Sequence, residues 1–223
     1  MIKTTPLHSR HLALGAKMAD FAGFDMPISY AGLKDEHFAV REKAGLFDVS
    51  HMGEFIVKGP QAFDFVQYMT SNDVSKLEIG EAQYSCFPRP EGGIVDDLLV
   101  YRLSEDQCAD GEQAYMLVVN GANLDKDWNW LVEHNNFDTR LVNISDETGL
   151  VALQGPAAVA ILQQLTDTPI ADISYYTFTK GSVAGVDNVI ISATGYTGSG
   201  GFELYADANT IGTIWDALLE TGK

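Results

Sequence analysis

Basic residues are scarce in this sequence. Lys and Arg number 14 against 31 Asp and Glu over 223 residues, which leaves a net charge of −17. So acidic a surface argues against polyanions, and neither nucleic acid nor an anionic membrane face is an expected partner. A small anionic ligand stays open, because a few local groups can hold one. Cysteine is scarcer still. Cys86 and Cys108 fit neither a CxxC pair nor a disulfide framework, and that implies a reducing compartment. No window approaches the roughly 20 apolar residues of a membrane span. The opening MIKTTPLHSRHLALGAKM has no sustained apolar leader segment. These absences predict a soluble, cytoplasmic protein.

Several catalytic signatures are also missing. No Gly-Lys-Ser/Thr closes a glycine loop and no GxGxxG opens a helix, so a phosphate-cradle reading is discounted. No nucleophile elbow supports a Ser/His/Asp triad. His37 and His51 stand at no metal-ligand spacing with other His, Cys or acids, so no metal is expected.

What remains is an ordinary globular composition, 46% hydrophobic and 20% charged, enough for a packed core in one large or two small domains. Helices are predicted over 34–44, 59–73, 122–135, 157–165 and the tail after Asp207. Pro60 and Pro156 should sit in the first turns of their helices, and Asp207 or Asn209 should cap the last. Strands are predicted over 53–59, 81–87, 94–103, 114–120 and, once or twice, within 141–156. Two more flank a glycine loop inside 186–206. Strands alternating with helices give α+β or mixed α/β architecture.

The stretch GGIVDDLLVY (92–101) places two acids in a β-branched run. Alternation puts Asp96 with Ile94, Leu98 and Val100, and Asp97 with Val95, Leu99 and Tyr101. Both faces are apolar, so an ionised carboxylate there needs partners or shifts its pKa upward. One reading is structural: a carboxylate accepts backbone N–H groups of the neighbouring glycine turn, or reaches solvent at the strand end. The other is a ligand pocket, for which Asp97 is the better candidate. Tyr101 shares its face, and Tyr84 lies within reach on the strand across the turn. An acid among tyrosines and aliphatics suits a flat, heteroaromatic, hydrogen-bonding ligand. Tyr196 and Glu203 bracket the second glycine loop and repeat that pattern. The loop itself reads as a hairpin turn needing positive φ.

The stretches FAGFDMPISY (21–30), REKAGLFDVSHMGEF (41–55), GGIVDDLLVYR (92–102), VVNGANLDKDW (118–128), LVALQGPAA (150–158) and ATGYTGSGGFELY (193–205) resemble, in order, the T-protein of the glycine cleavage system. Members of that family are tetrahydrofolate-dependent aminomethyltransferases. The resemblance implies transfer of a one-carbon unit from the aminomethyl-lipoyl arm of the H-protein to tetrahydrofolate. Ammonia is released and 5,10-methylenetetrahydrofolate forms. It implies that Asp97 is the catalytic aspartate and that Met52, Tyr84, Leu99, Tyr101, Asn120, Tyr196 and Glu203 line the folate pocket, with Glu203 on the pterin's amino-pyrimidine edge. Tetrahydrofolate is the implied co-substrate, lipoylated H-protein the implied partner, and no metal is implied.

It implies also a domain plan. A discontinuous first domain takes residues 1–55 and 150–223, a second takes 56–149, and folate lies near their junction. The family pattern continues past Lys223 with an arginine-bearing Gly-Leu-Gly-Ala-Arg-Asp stretch and a C-terminal barrel-like domain, neither present in these 223 residues. Weak folate binding by the 223 residues alone is therefore expected. Where the family commonly has arginine before the Thr-Gly-Tyr-Thr-Gly run, this chain has Ala193. The alternatives are a folate-using relative, such as a sarcosine or dimethylglycine dehydrogenase domain or an iron–sulfur assembly factor, and a non-catalytic folate-binding module.

Overall fold

A computed structural model describes residues 2–104 and 109–223; Cys108 lies outside them. In chain order the elements are α1 (His8–Ala13), β1 (Lys17–Phe21), β2 (Phe24–Ser29), α2 (Leu33–Glu42), β3 (Gly45–Asp48), β4 (Gly53–Gly59), α3 (Ala62–Met69), β5 (Ala82–Pro88), β6 (Ile94–Arg102), β7 (Gln113–Val119), α4 (Leu124–His134), β8 (Arg140–Asn143), β9 (Thr148–Gln154), α5 (Ala158–Leu162), β10 (Phe178–Val183), β11 (Val186–Ser192), β12 (Gly201–Asp207) and α6 (Ile211–Thr221). Among the described residues no helix is long and apolar enough to cross a membrane.

The chain divides into two compact units. The first is Met1–His51 with Glu147–Lys223, and the second is Met52–Asp146. The first unit holds the β1–β2 hairpin and a five-stranded sheet in the order β10-β11-β12-β9-β3, antiparallel throughout. Its core packs Val151, Leu153, Phe202 and Leu204 of the sheet against Ile211, Ile214, Trp215 and Leu218 of α6. Two of its hairpins turn on Ala-Gly. Ala22 and Gly23 have φ of 55° and 81°, and Ala184 and Gly185 have 52° and 78°. Positive φ at both central residues is the twist-matched two-residue turn.

The second unit is an antiparallel five-stranded sheet in the order β5-β6-β7-β4-β8. Phe55 and Val57 of β4, Leu117 and Val119 of β7, and Leu98 and Val100 of β6 meet Phe65, Val66 and Met69 of α3 and Leu131 of α4 in one core. The register then defines the opposite face. Tyr84 pairs with Leu99, Leu99 with Val118 and Val118 with Glu54, making one row across four strands. Cys86 pairs with Asp97 one step along, and Ala82 with Tyr101 one step the other way.

Three local expectations are corrected. α3 ends at Met69 rather than running to residue 73, because Thr70 turns to extended backbone. Beyond it Asn72 and Asp73 bind nearby backbone N–H groups with their side chains, an alternative to continuing the helix. Pro60 and Pro156 precede the cap residues Gln61 and Ala157 instead of lying in the first turns. At α6 the cap position is Thr210, with no side-chain cap. Asp207 instead closes the turn before it, accepting from the Asn209 N–H at 2.8 Å.

Candidate functional site: two carboxylate centres

β6 carries the first centre. Asp97 is half-buried and both of its carboxylate oxygens are held by neutral donors. The Tyr84 hydroxyl donates to Oδ2 at 2.7 Å. The Asn120 amide, just past β7, donates to Oδ1 at 2.8 Å. The same Asn120 nitrogen lies 3.1 Å from Asp96 Oδ1 and 3.3 Å from the Asp97 carbonyl oxygen. Each carboxylate oxygen keeps a further lone pair for an incoming N–H. Leu99 and Met52 are half-buried, Tyr101 is fully buried and Tyr84 is exposed. Asp97, Tyr84, Leu99 and Tyr101 lie on one face by register. Asn120 reaches that face from the end of β7, and Met52 immediately precedes β4, whose Gly53 pairs with Val119.

Asp96 faces the core side and is not tied into the glycine turn. Its Oδ1 takes the Asn120 amide, and its carboxyl meets Asp127 of α4. The structural reading of Asp96 is corrected to that extent: side chains hold it, not turn backbone. Sequence pattern overlooks Asp127, because a charged residue in a helix reads as solvated. Its place is the available signal, since Leu124, Asp127, Trp128 and Leu131 form one stripe at i, i+3, i+4 and i+7. Glu54 is overlooked in the same way. It is 1% exposed, neither of its carboxyl oxygens has a hydrogen-bond partner, and burial pushes it well above the ordinary carboxylate range.

The first unit carries the second centre. Glu203 of β12 pairs with Ser192 and with Ala152 on the neighbouring strands. Burial pushes its carboxyl up, against the stabilising bonds from Thr194 and Tyr205. The charge of Glu203 also helps to raise the Tyr176 phenol, after burial and the neighbouring Tyr175. Tyr196, by contrast, is 96% exposed. The glycine loop holding it is anchored beside it. Arg41 donates to the Thr197 carbonyl at 2.6 Å and the Ser199 hydroxyl at 2.8 Å, and Thr197 donates to Gln154 Oε1 at 2.8 Å. The loop glycines Gly195, Gly198 and Gly200 have φ of 124°, 70° and 74°, the conformations expected of a turn. Ala193 packs into the first unit's core.

A Tyr–His–Asp line also lies in the first unit. The Tyr30 hydroxyl is 2.8 Å from His11 Nδ1, and His11 Nε2 is 2.8 Å from Asp48 Oδ2. Burial raises Asp48, but the bonds from His11, Thr5 and Ser50 outweigh it and hold the carboxyl below its ordinary range. His11 is fully buried against Trp215, so this is a satisfied core network. Among the described residues no group of three His, Cys, Asp or Glu is placed to hold a metal ion.

The fold and these centres define a mixed α/β protein whose carboxylates are set among hydroxyl, amide and aliphatic side chains. The family model described as the GCVT N-terminal domain matches residues 7–223, and the chain belongs to that family. It is 55% identical over 221 residues to the aminomethyltransferase of Bacteroides fragilis, covering 99% of this chain and 59% of the relative. Identity to the Bacteroides thetaiotaomicron aminomethyltransferase is 56% over 222 residues, covering 100% of this chain and 60% of the relative. The solved glycine cleavage system aminomethyltransferase T of Bartonella henselae superimposes with a TM-score of 0.87 at 33% identity, over 98% of this chain and 57% of that one. A heterotetrameric sarcosine oxidase from Corynebacterium sp. U-96 matches at TM-score 0.61 and 15% identity, over 100% of this chain and 98% of that one, a likeness of fold alone. The chain spans about three fifths of the length of the curated relatives it matches.

Proposed function

We propose that this chain forms part of an aminomethyltransferase of the glycine cleavage system, acting on lipoylated H-protein and tetrahydrofolate in the cytoplasm. Family membership and the relatives' names support the class. The observation that carries the reading to the site is Asp97, a half-buried carboxylate fixed by Tyr84 and Asn120 on the sheet face it shares with Leu99 and Tyr101.

The reaction moves one carbon. Its bonds to the lipoyl sulfur and to the amine break, two bonds to folate nitrogens form, and ammonia leaves. The migrating carbon gains cationic character on the way. A fixed carboxylate stabilises that charge and orients the folate nitrogens, and it can pass a proton as the amine departs. Because Tyr84 and Asn120 already set its orientation, Asp97 needs no rearrangement at the moment of reaction. Leu99 and Tyr101 give the flat ring an apolar and aromatic wall. Glu203 suits the amino-pyrimidine edge, where a carboxylate accepts paired N–H donors. Met52 and Tyr196 are proposed as further pocket residues.

The test is Asp97→Asn in the complete natural polypeptide, assayed for tetrahydrofolate-dependent ammonia release from aminomethylated H-protein. The amide keeps the shape and removes the charge, so turnover should fall by about 100-fold or more with an unchanged melting temperature. Turnover within a few-fold of wild type would remove Asp97 from the chemistry.

A further inference from the structure

We infer that Asp127 is a positioning residue for Asp97: it carries a proton, donates it to the Asp96 carboxylate, and through the shared Asn120 amide sets the orientation of the Asp97 side chain. Its bearing on catalysis rests on the reading of Asp97 above.

Asp127 is completely buried. Both of its carboxyl oxygens, and Asp96 Oδ2, are shielded from solvent without a hydrogen-bond donor, yet the two carboxyl groups lie against each other. Two full negative charges in that arrangement would repel at close range with no donor between them. A single shared proton removes the conflict, since an O–H···O⁻ bond satisfies both groups and leaves the pair with one charge. The remaining neighbours agree. Lys126, one residue away, is committed to the Val95 carbonyl at 2.7 Å. Burial first, then the Asp96 bond and charge, push the Asp127 carboxyl up to about 8, with Asp97 adding to the shift and Lys126 opposing it.

The proton on Asp127 then orders the groups between it and Asp97. With Oδ2 of Asp96 engaged, its Oδ1 is left for Asn120. The Asn120 amide has two hydrogens, and both nearby side-chain acceptors are carboxylate oxygens, Asp96 Oδ1 and Asp97 Oδ1. That fixes which way the amide faces. Asp97 is thus gripped from one side by Asn120 and from the other by Tyr84. The line Asp127–Asp96–Asn120–Asp97–Tyr84 joins helix α4 to strands β6 and β5. Ionising Asp127 would place a second charge on the carboxyl pair and loosen Asn120 from both partners.

The test is carboxyl NMR on the chain labelled with ¹³C at aspartate Cγ. The three signals are assigned by single Asn replacements and followed across the neutral and alkaline range. Asp127 should titrate near pH 8, and the Asp97 signal should carry an inflection at the same pH that Asp127→Asn removes. At neutral pH, Asp127→Asn still offers an N–H to Asp96 and should leave the Asn120 side-chain amide signals in place, whereas Asp127→Ala should shift them. If Asp127→Ala does not fold, the wild-type and Asp127→Asn titrations decide alone. Titration of Asp127 in the ordinary carboxylate range, or an Asp97 signal indifferent to it, would overturn the inference. No folate is involved, so this outcome is independent of the Asp97→Asn turnover assay.

Discussion

Glu54 enters β4 with the pattern of an ordinary solvent-facing charge, alternating with Phe55 and Val57, yet it is 1% exposed and has no donor. Burial lifts its folded-state pKa above the unfolded value. The sign comes from proton linkage: the native state binds the proton more tightly, so the contribution is full below the unfolded pKa and is lost as pH rises toward the folded one. Glu54→Gln removes that dependence while keeping size and polarity. The melting-temperature difference between Glu54→Gln and wild type should therefore move in favour of the variant by a few degrees between about pH 5 and 8. A difference that stays flat over that range would show Glu54 to be ionised in the fold. Glu54 and Asp127 show what a single sequence hides. Strand alternation gives two faces but not whether the second is covered, and a helix wheel counts an acid on the apolar stripe as an interruption. Asp97 is legible because Tyr101 and Tyr84 fall on its side under the same rule.

At the scale of elements, the turns decide more than the strands do. Gly155, between β9 and α5, has φ of 129°, and an added Cβ would lie 2.5 Å from the Lys43 carbonyl. Gly198, in the loop before β12, has φ of 70° but its nearest neighbour would be an Arg41 side-chain atom at 3.7 Å. Gly155→Ala should therefore cost at least about 2 kcal/mol, combining strain with a backbone clash. Gly198→Ala should cost only about 1 kcal/mol, from conformation alone. Denaturant midpoints compare the two, and equal losses would contradict the close approach at Gly155. The same physics explains which elements are readable. β4 announces itself by alternation, β6 and β7 by apolar runs holding Val, and the PRPEGG turn between β5 and β6 by its proline and glycines. The β1–β2 and β10–β11 hairpins escape a sequence reading, because each turns on Ala-Gly where Asn-Gly would be the stronger signal, and Pro27 interrupts β2. α3 reads too long because Thr70, Asn72 and Asp73 suit helix and turn alike until their side-chain bonds are known. The loop with Tyr196 reads correctly as a turn, but sequence spacing does not show that Thr194 and Tyr205 bond Glu203 while Tyr196 stands exposed.

At the scale of the whole molecule, charge and chain path matter most. A net charge of −17 makes self-repulsion a standing cost to the compact state. Raising salt from about 0.02 to 0.2 M shortens the screening length from roughly 20 to 7 Å, so the melting temperature should rise by a few degrees. A fall would mean that attractive pairs dominate the surface. The path has a different consequence, for synthesis. In the first unit's sheet, β3 is hydrogen-bonded to β9, with Asp48 opposite Val151, although the whole second unit, Met52–Asp146, lies between them in the chain. On a ribosome adding about 5–20 residues per second, β3 emerges and waits roughly 5–20 s for its neighbour. The inserted unit has all its strands available before the unit that began first can assemble its sheet. The order of translation is thus the reverse of the order of completion, and the opening fifty residues are the stretch of nascent chain most in need of a chaperone's cover.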